Sequence, residues 1–249
     1  MSPQHRQSPL ADIAPPAAFV PRAVSIARVF AWFEGAIRLF KRAPARWCAL
    51  GAFTLATRLA LELVPGIGHA ASEVIVPVVE CGLLIGAANV DRGAPLALRC
   101  AIAAFRAPPV ALAAIVVSSL LVSAAEILAA YALADVNLLT ESADPKLTPP
   151  VLLGVVGAAT LAALPLAFVP MAALFQGARF VRAFGSSLQG FALNVAPLLL
   201  FGALSLLLTL VGLLTFWVGL IAVFPLLAAA SYCGWKDIYA PPPGALTRY

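Results

Sequence analysis

Six ionisable residues sit where a water-soluble chain has no reason to put them. Arg58, Glu62, His69, Glu73, Glu80 and Glu126 all lie inside long apolar runs. At the centre of a membrane helix such a side chain costs about 2.5–3.5 kcal/mol, so each has to face protein or water. Arg58 and Glu62 are one helical turn apart, and His69, Glu73 and Glu80 follow at i, i+4 and i+11 on one face. With a rise of about 1.5 Å per residue, Arg58 and Glu73 each fall about 9 Å inside the outer ends of their helices. They then face each other across one hairpin. Glu126 falls about 12 Å below the outer end of its own helix, and Glu80 lies deeper, near the midplane. The chemistry open to this set is a proton- or cation-responsive cluster, with Arg58 as counter-ion and Glu80 or Glu126 as the titrating group. The same residues also suit a buried charge network that only orients three helices.

The elements that position them follow from composition. The 249 residues are 62% hydrophobic and 11% charged, with a mean hydropathy of +0.98. Soluble domains carry about 45–50% apolar and about 25% charged residues. A chain this apolar cannot cover its surface with polar groups. A free cytosolic enzyme, a nucleic-acid-binding domain and a disulfide-stapled secreted module are thereby excluded. A span needs about 20 mostly apolar residues, and six runs qualify: 45–64, 67–90, 110–134, 150–175, 192–211 and 214–233. The last two are separated only by Val211, Gly212 and Leu213, read as a tight turn. The expected fold is all-α, a polytopic six-transmembrane-helix bundle of three helical hairpins over 44–233. Residues 234–249 form a cytoplasmic tail.

Threading follows from the basic residues. Fourteen of the sixteen Lys and Arg fall in the N-terminal segment, in 91–109, in 176–191 and in the C-terminal tail. The alternate loops hold only Lys146, and Arg58 lies within a span. The positive-inside rule then places both termini in the cytoplasm and the acidic loop Asp135–Pro149 outside. Before the first span, Ile26, Phe30, Phe33, Ile37 and Phe40 form one apolar stripe at helical spacing. Residues 22–43 thus read as a basic amphipathic interfacial helix, with Arg28, Arg38, Lys41 and Arg42 as contacts for anionic lipid head groups. A helix packed under the bundle shares the pattern. Residues 1–21, rich in proline, read as a disordered tail.

Motifs of soluble enzymes are missing. His5 and His69 are the two histidines, too few for a zinc protease motif, and no phosphate-binding or dinucleotide glycine pattern occurs. Cys48, Cys81, Cys100 and Cys233 lack metal or disulfide spacing. No cofactor, metal or nucleic acid is expected. Ser118, Ser119, Ser123, Ser186 and Ser187 suit helix packing or loops. Gly82-xxx-Gly86 lets another helix approach closely, and Pro77, Pro165, Pro170 and Pro225 interrupt the second helix of each hairpin. A faint internal repeat pairs Ala36-Ile37-x-x-Phe40 before Pro44 with Ala101-Ile102-x-x-Phe105 before Pro109.

Three stretches carry a resemblance. Trp32-x-x-Gly35-x-x-x-Leu39-Phe40 followed by Pro44-x-x-Trp47 is one; Asp91-Arg92-Gly93 is the second. Ser231-Tyr232 with Lys236-Asp237-Ile238-Tyr239 is the third. Together they resemble an uncharacterised family of six-span inner-membrane proteins of proteobacteria, over residues 30–240. The hairpin organisation is more distantly similar to the membrane domain that accompanies some glycerophosphodiester phosphodiesterases, and the catalytic barrel of those proteins has no room here. The resemblance implies a bacterial inner membrane and brings no catalytic or binding residues. The expected function is non-enzymatic, a scaffold, partner or envelope sensor, with homo- or hetero-oligomers open through the membrane helices. A small-solute or proton-coupled transporter using the Arg/Glu cluster is the alternative, and an intramembrane lipid-active enzyme the third.

Overall fold

A computed structural model describes residues 19–64, 67–138, 144–215 and 218–239. Residues 1–18 of the tail expected over 1–21, the loop tip at 139–143 and the last ten residues lie outside that description; the end of the expected tail is described, and there Phe19 stacks on Trp235 and Pro21 is buried. The described chain is all helical. Its α-helices are α1 (Arg28–Lys41), α2 (Pro44–Glu62), α3 (Gly68–Asp91), α4 (Pro109–Ala134) and α5 (Pro149–Ala163), then α6 (Val169–Phe175), α7 (Phe180–Leu193), α8 (Val195–Leu214) and α9 (Leu220–Tyr239). Short 3₁₀ segments cover Leu98–Arg106 and Leu164–Leu166. Four helical stretches, Gly68–Asp91, Pro109–Ala134, Pro149–Phe175 and Val195–Leu214, are long and apolar enough to cross a membrane. α2 and α9 are as long, but α2 carries Arg46, Arg58 and Glu62, and α9 ends on Lys236 and Asp237.

Local chemistry sets the ends. α2, α4 and α5 open on proline, whose missing N–H is no loss in a first turn. α4 stops at Asp135, which turns left-handed (φ 55°) and returns its N–H to the Tyr131 carbonyl. The expected continuous span over 150–175 is broken at Pro165. Ser187 of α7 repairs the break, donating to the Pro165 carbonyl at 2.8 Å and accepting the Phe168 N–H at 3.1 Å. This is how a proline interruption is tolerated away from water. The hairpin expected at Val211–Leu213 falls later, after Leu214 and before Leu220, because α8 runs on through Gly212. Thr215 Oγ1 closes it, donating to the Gly212 carbonyl and accepting the Gly219 N–H.

α3 is the hub. Within its most apolar stretch 61% of residues are buried, against 22–28% for the other three span candidates. Those outer helices turn Leu121, Leu128, Leu161 and Leu207 outward, a leucine-rich surface suited to acyl chains. The close approach expected at Gly82 is made by the first 3₁₀ helix, between the long helices, and not by another span. A Cβ there would stand 2.4 Å from the Cys100 carbonyl of the first 3₁₀ segment. Gly86 packs against Leu96 and the buried Trp47 ring.

One end of the bundle is tied by the N-terminal segment. Residues 19–27 are not helical except at their end, so the expected start of the amphipathic helix moves from 22 to Arg28. Phe19 stacks on Trp235, and Arg22 N–H donates to the Ile238 carbonyl. Asn194 then grips the strand-like lead-in twice, accepting the Val24 N–H at 2.8 Å and donating to the Arg22 carbonyl at 3.0 Å. α1 buries Val29, Trp32, Ala36 and Leu39, mainly against α9. Ile26, Phe30 and Ile37 of the apolar stripe stay exposed. The last turn of α9, expected in a tail, is instead part of this packed end, with Trp235, Ile238 and Tyr239 buried.

Candidate functional site

The hairpin of α2 and α3 brings the predicted charges together in pairs. Arg58 reaches Glu73 at 3.6 Å, and His69 meets Glu62 at 3.2 Å nearer the turn. Glu73 keeps only 12% of its side chain exposed, whereas Arg58 keeps 39%, so the pair has one foot in the bundle. An ion pair of this exposure is worth about 0–1 kcal/mol in water and serves to orient the two helices. Glu126 is half-buried on α4, within electrostatic range of Glu73, Arg58 and His69. Glu80 stands two turns deeper than Glu73 on α3, about 10 Å along the axis.

Glu80 differs from the others in what surrounds it. It lines a crevice of about 390 Å³ between α3, α4, the α5–α6 break and α9. That size is typical of small-molecule sites. Pro77, Leu84, Ile115, Met171 and Phe224 make most of the wall. The polar groups are the Glu80 carboxylate and the hydroxyls of Ser118, Ser119 and Ser231. Ser118 already donates to the Ile115 carbonyl of its own helix. Glu80 is exposed, and the crevice opens onto its carboxylate. An anionic group facing an apolar hollow complements a molecule that is mostly apolar and carries one cationic or hydrogen-bond-donating end.

Prolines shape three of the four walls. Pro77 lies one turn before Glu80, Pro165 and Pro170 bracket the α5–α6 break, and Pro225 adjoins Phe224. Removing the internal hydrogen bonds at these points opens the space that straight helices would fill.

The tied end holds polar residues that spacing alone did not bring forward. Asp237, 8% exposed, accepts from Arg28 Nε at 2.7 Å, Arg22 Nη2 at 3.0 Å and Trp32 Nε1 at 3.0 Å. Burial alone would push its carboxyl up; the hydrogen bonds from Arg28 and Trp32 outweigh it and hold the group below the usual carboxylate range. The hydrogen bond to Asp237, reinforced by its charge, raises Arg28 in turn. Asp91 accepts from Lys236 at 2.6 Å and from the Tyr232 hydroxyl at 2.9 Å. Tyr239 donates to the Ser186 carbonyl at 2.7 Å, and burial pushes its hydroxyl up to about 12. The signal available in the sequence was the pair of short motifs around Asp91 and Lys236-Asp237, which carry these residues without naming their partners.

Of the four expected lipid contacts, Arg28 is drawn onto Asp237, and Arg42 donates to the Val90 carbonyl at 2.7 Å. Arg38 and Lys41 are exposed. The four cysteines are free thiols. Among the described residues no three His, Cys, Asp or Glu side chains gather as a metal site. Set against protein-family models, curated proteins and solved structures, the chain matches none of them.

Proposed function

We propose that this chain is a non-enzymatic multi-pass protein of the bacterial inner membrane, a sensor whose working part is the Glu80 crevice. α2 and α9 join the four apolar helices to make six spans in three hairpins. At about 1.5 Å per residue, the 19 residues of α2 reach about 28 Å, and α9 reaches about 24 Å from Leu220 to Trp235 before its charged last turn, against a hydrocarbon core of about 30 Å. Arg22, Arg28, Arg42, Arg46 and Lys236 all make their contacts at one end of the bundle, which the positive-inside rule assigns to the cytoplasm together with both termini. The likeness of its motifs to the six-span proteobacterial family belongs to the same proposal.

The observation that carries the function is a single carboxylate facing an apolar hollow at mid-bundle. Its chemistry selects a lipophilic cation or amine that partitions into the bilayer. Tetraphenylphosphonium titrated into the protein in nanodiscs should bind saturably. Glu80→Gln, which keeps the shape and removes the charge, should weaken it tenfold or more, about 1.4 kcal/mol. Equal binding by the two proteins would remove the carboxylate from the account.

One observation favours transport as a second reading. Glu62–His69, Arg58–Glu73 and Glu126 form a series of ionisable groups from the α2–α3 turn toward Glu80. A transporter would move the bound cation across proteoliposomes under an imposed pH gradient; a sensor would bind it and not move it.

A further inference from the structure

A second hollow, of about 570 Å³, lies at the basic end, between α1 and the ends of α3 and α9. Five cations border it: Arg22, Arg28, Arg38, Arg42 and Lys236. Two carboxylates oppose them, and both are engaged, Asp237 by Arg22 and Arg28 and Asp91 by Lys236. Arg42 gives one nitrogen to the Val90 carbonyl. Among the described residues, Arg38 and Arg42 make no ion pair, so Arg38 and the remaining donors of Arg42 are left to face the groove. Guanidinium forks donate to phosphate oxygens in pairs, which makes two of them in one concave polar surface a phosphate site.

The faces of α1 say where the phosphate comes from. At about 100° per residue, the helix divides into three sectors. Val29, Trp32, Ala36 and Leu39 are buried. To one side, Phe30 and Ile37 stay 57% and 42% exposed. To the other side lie Arg28, Arg38 and Arg42, on the groove. A helix so divided lies in the membrane plane, apolar sector among acyl chains and basic sector among head groups. We infer that this groove is a specific site for the phosphate of an anionic phospholipid of the cytoplasmic leaflet, held by Arg38 and Arg42.

The assignment rests on the membrane placement proposed above, though not on the Glu80 crevice. The test is native mass spectrometry of the detergent-solubilised full chain with added phosphatidylglycerol or phosphatidylethanolamine. The wild type should retain phosphatidylglycerol in preference, with a one-to-one adduct. Arg38→Gln should reduce that adduct about fivefold, and the Arg38→Gln, Arg42→Gln pair should abolish the preference. Lys41→Gln, exposed and off the groove wall, should leave it unchanged. No preference in the wild type, or equal loss with Lys41→Gln, would overturn the site in favour of diffuse surface charge. Glycerol phosphate that displaces the lipid at millimolar concentration would overturn the lipid source and make it a soluble-anion site. Tetraphenylphosphonium is titrated into the same samples. A chain that binds it without lipid preference refutes the groove alone; one that prefers the lipid but ignores the cation refutes the crevice alone.

Discussion

Replacing Asp237 with Ala should cost about 2–3 kcal/mol of stability and release the N-terminal segment from the bundle. The pairs with Arg22 and Arg28 contribute modestly, because those guanidiniums keep 59% and 52% of their surface in water and exposed ion pairs are worth about 0–1 kcal/mol. The larger share comes from Trp32. Its indole N–H is buried, and a hydrogen bond to a charged acceptor is worth about 1.5–3 kcal/mol, most of it lost when the donor is stranded. The carboxyl is held below its unfolded value, so its contribution is complete above the unfolded pKa of about 4 and is lost as pH falls from there. Thermal unfolding in detergent and amide hydrogen exchange read the two effects. Asp237→Ala should melt earlier and exchange faster over residues 22–32, and the wild-type advantage should shrink below about pH 4. Unchanged exchange there would show that Asn194 and Phe19 hold the segment without it.

Gly51→Ala should be more damaging than its one added carbon suggests. A Cβ on Gly51 would lie 2.0 Å from the Ile221 carbonyl oxygen and 2.9 Å from Pro225 Cγ. Both obstacles are stiff. Ile221 is four residues before Pro225, whose nitrogen has no hydrogen to give, so this carbonyl lacks its helical partner and bulges toward α2. The backbone of α9 must retreat, and overpacking that the core cannot absorb costs about 1–3 kcal/mol or more. Gly157→Ala is the control. Its Cβ would meet nothing within 4 Å in α5, and the gain in helix propensity is up to about 1 kcal/mol. Membrane accumulation and melting temperature should fall for Gly51→Ala and hold or rise for Gly157→Ala.

How much of this was legible depends on how far apart in the chain the partners lie. The Arg58–Glu73 pair followed from helical rise on the two sides of one short connection, which fixes how far each head lies from its helix end. The apolar runs located α2, α3 and α4 within two residues for the same reason, whereas the last run, 214–233, lies six residues short of α9 at both ends. Asp237 was opaque. Its partners Arg22, Arg28 and Trp32 precede it by 215, 209 and 205 residues, and no periodicity links them. At α1 the stripe of large apolar residues left two readings open, an interfacial surface and a face packed under the bundle. The buried face is Val29, Trp32, Ala36 and Leu39, with Phe30 and Ile37 exposed, since Gly35 and Ala36 let α9 come close. In a bilayer the bulkiest apolar side chains are free to face lipid, so size ceases to mark the core. The turn after α8 falls later than the apolar run length places it; Thr215 bonds Gly212 and Gly219 there, and Gly212 supplies room for Leu220. The crevice itself lay beyond pattern reading, being a gap among four helices and the prolines that bend them.

Glu80 is a carboxyl accessible within an apolar crevice. Labelling with dicyclohexylcarbodiimide, an apolar reagent that modifies carboxyl groups from within bilayers, tests it most directly when followed by peptide mass mapping. The adduct should fall on the peptide containing Glu80, and tetraphenylphosphonium should protect it in proportion to occupancy. An unlabelled Glu80 peptide, or labelling that the cation leaves untouched, would contradict the account.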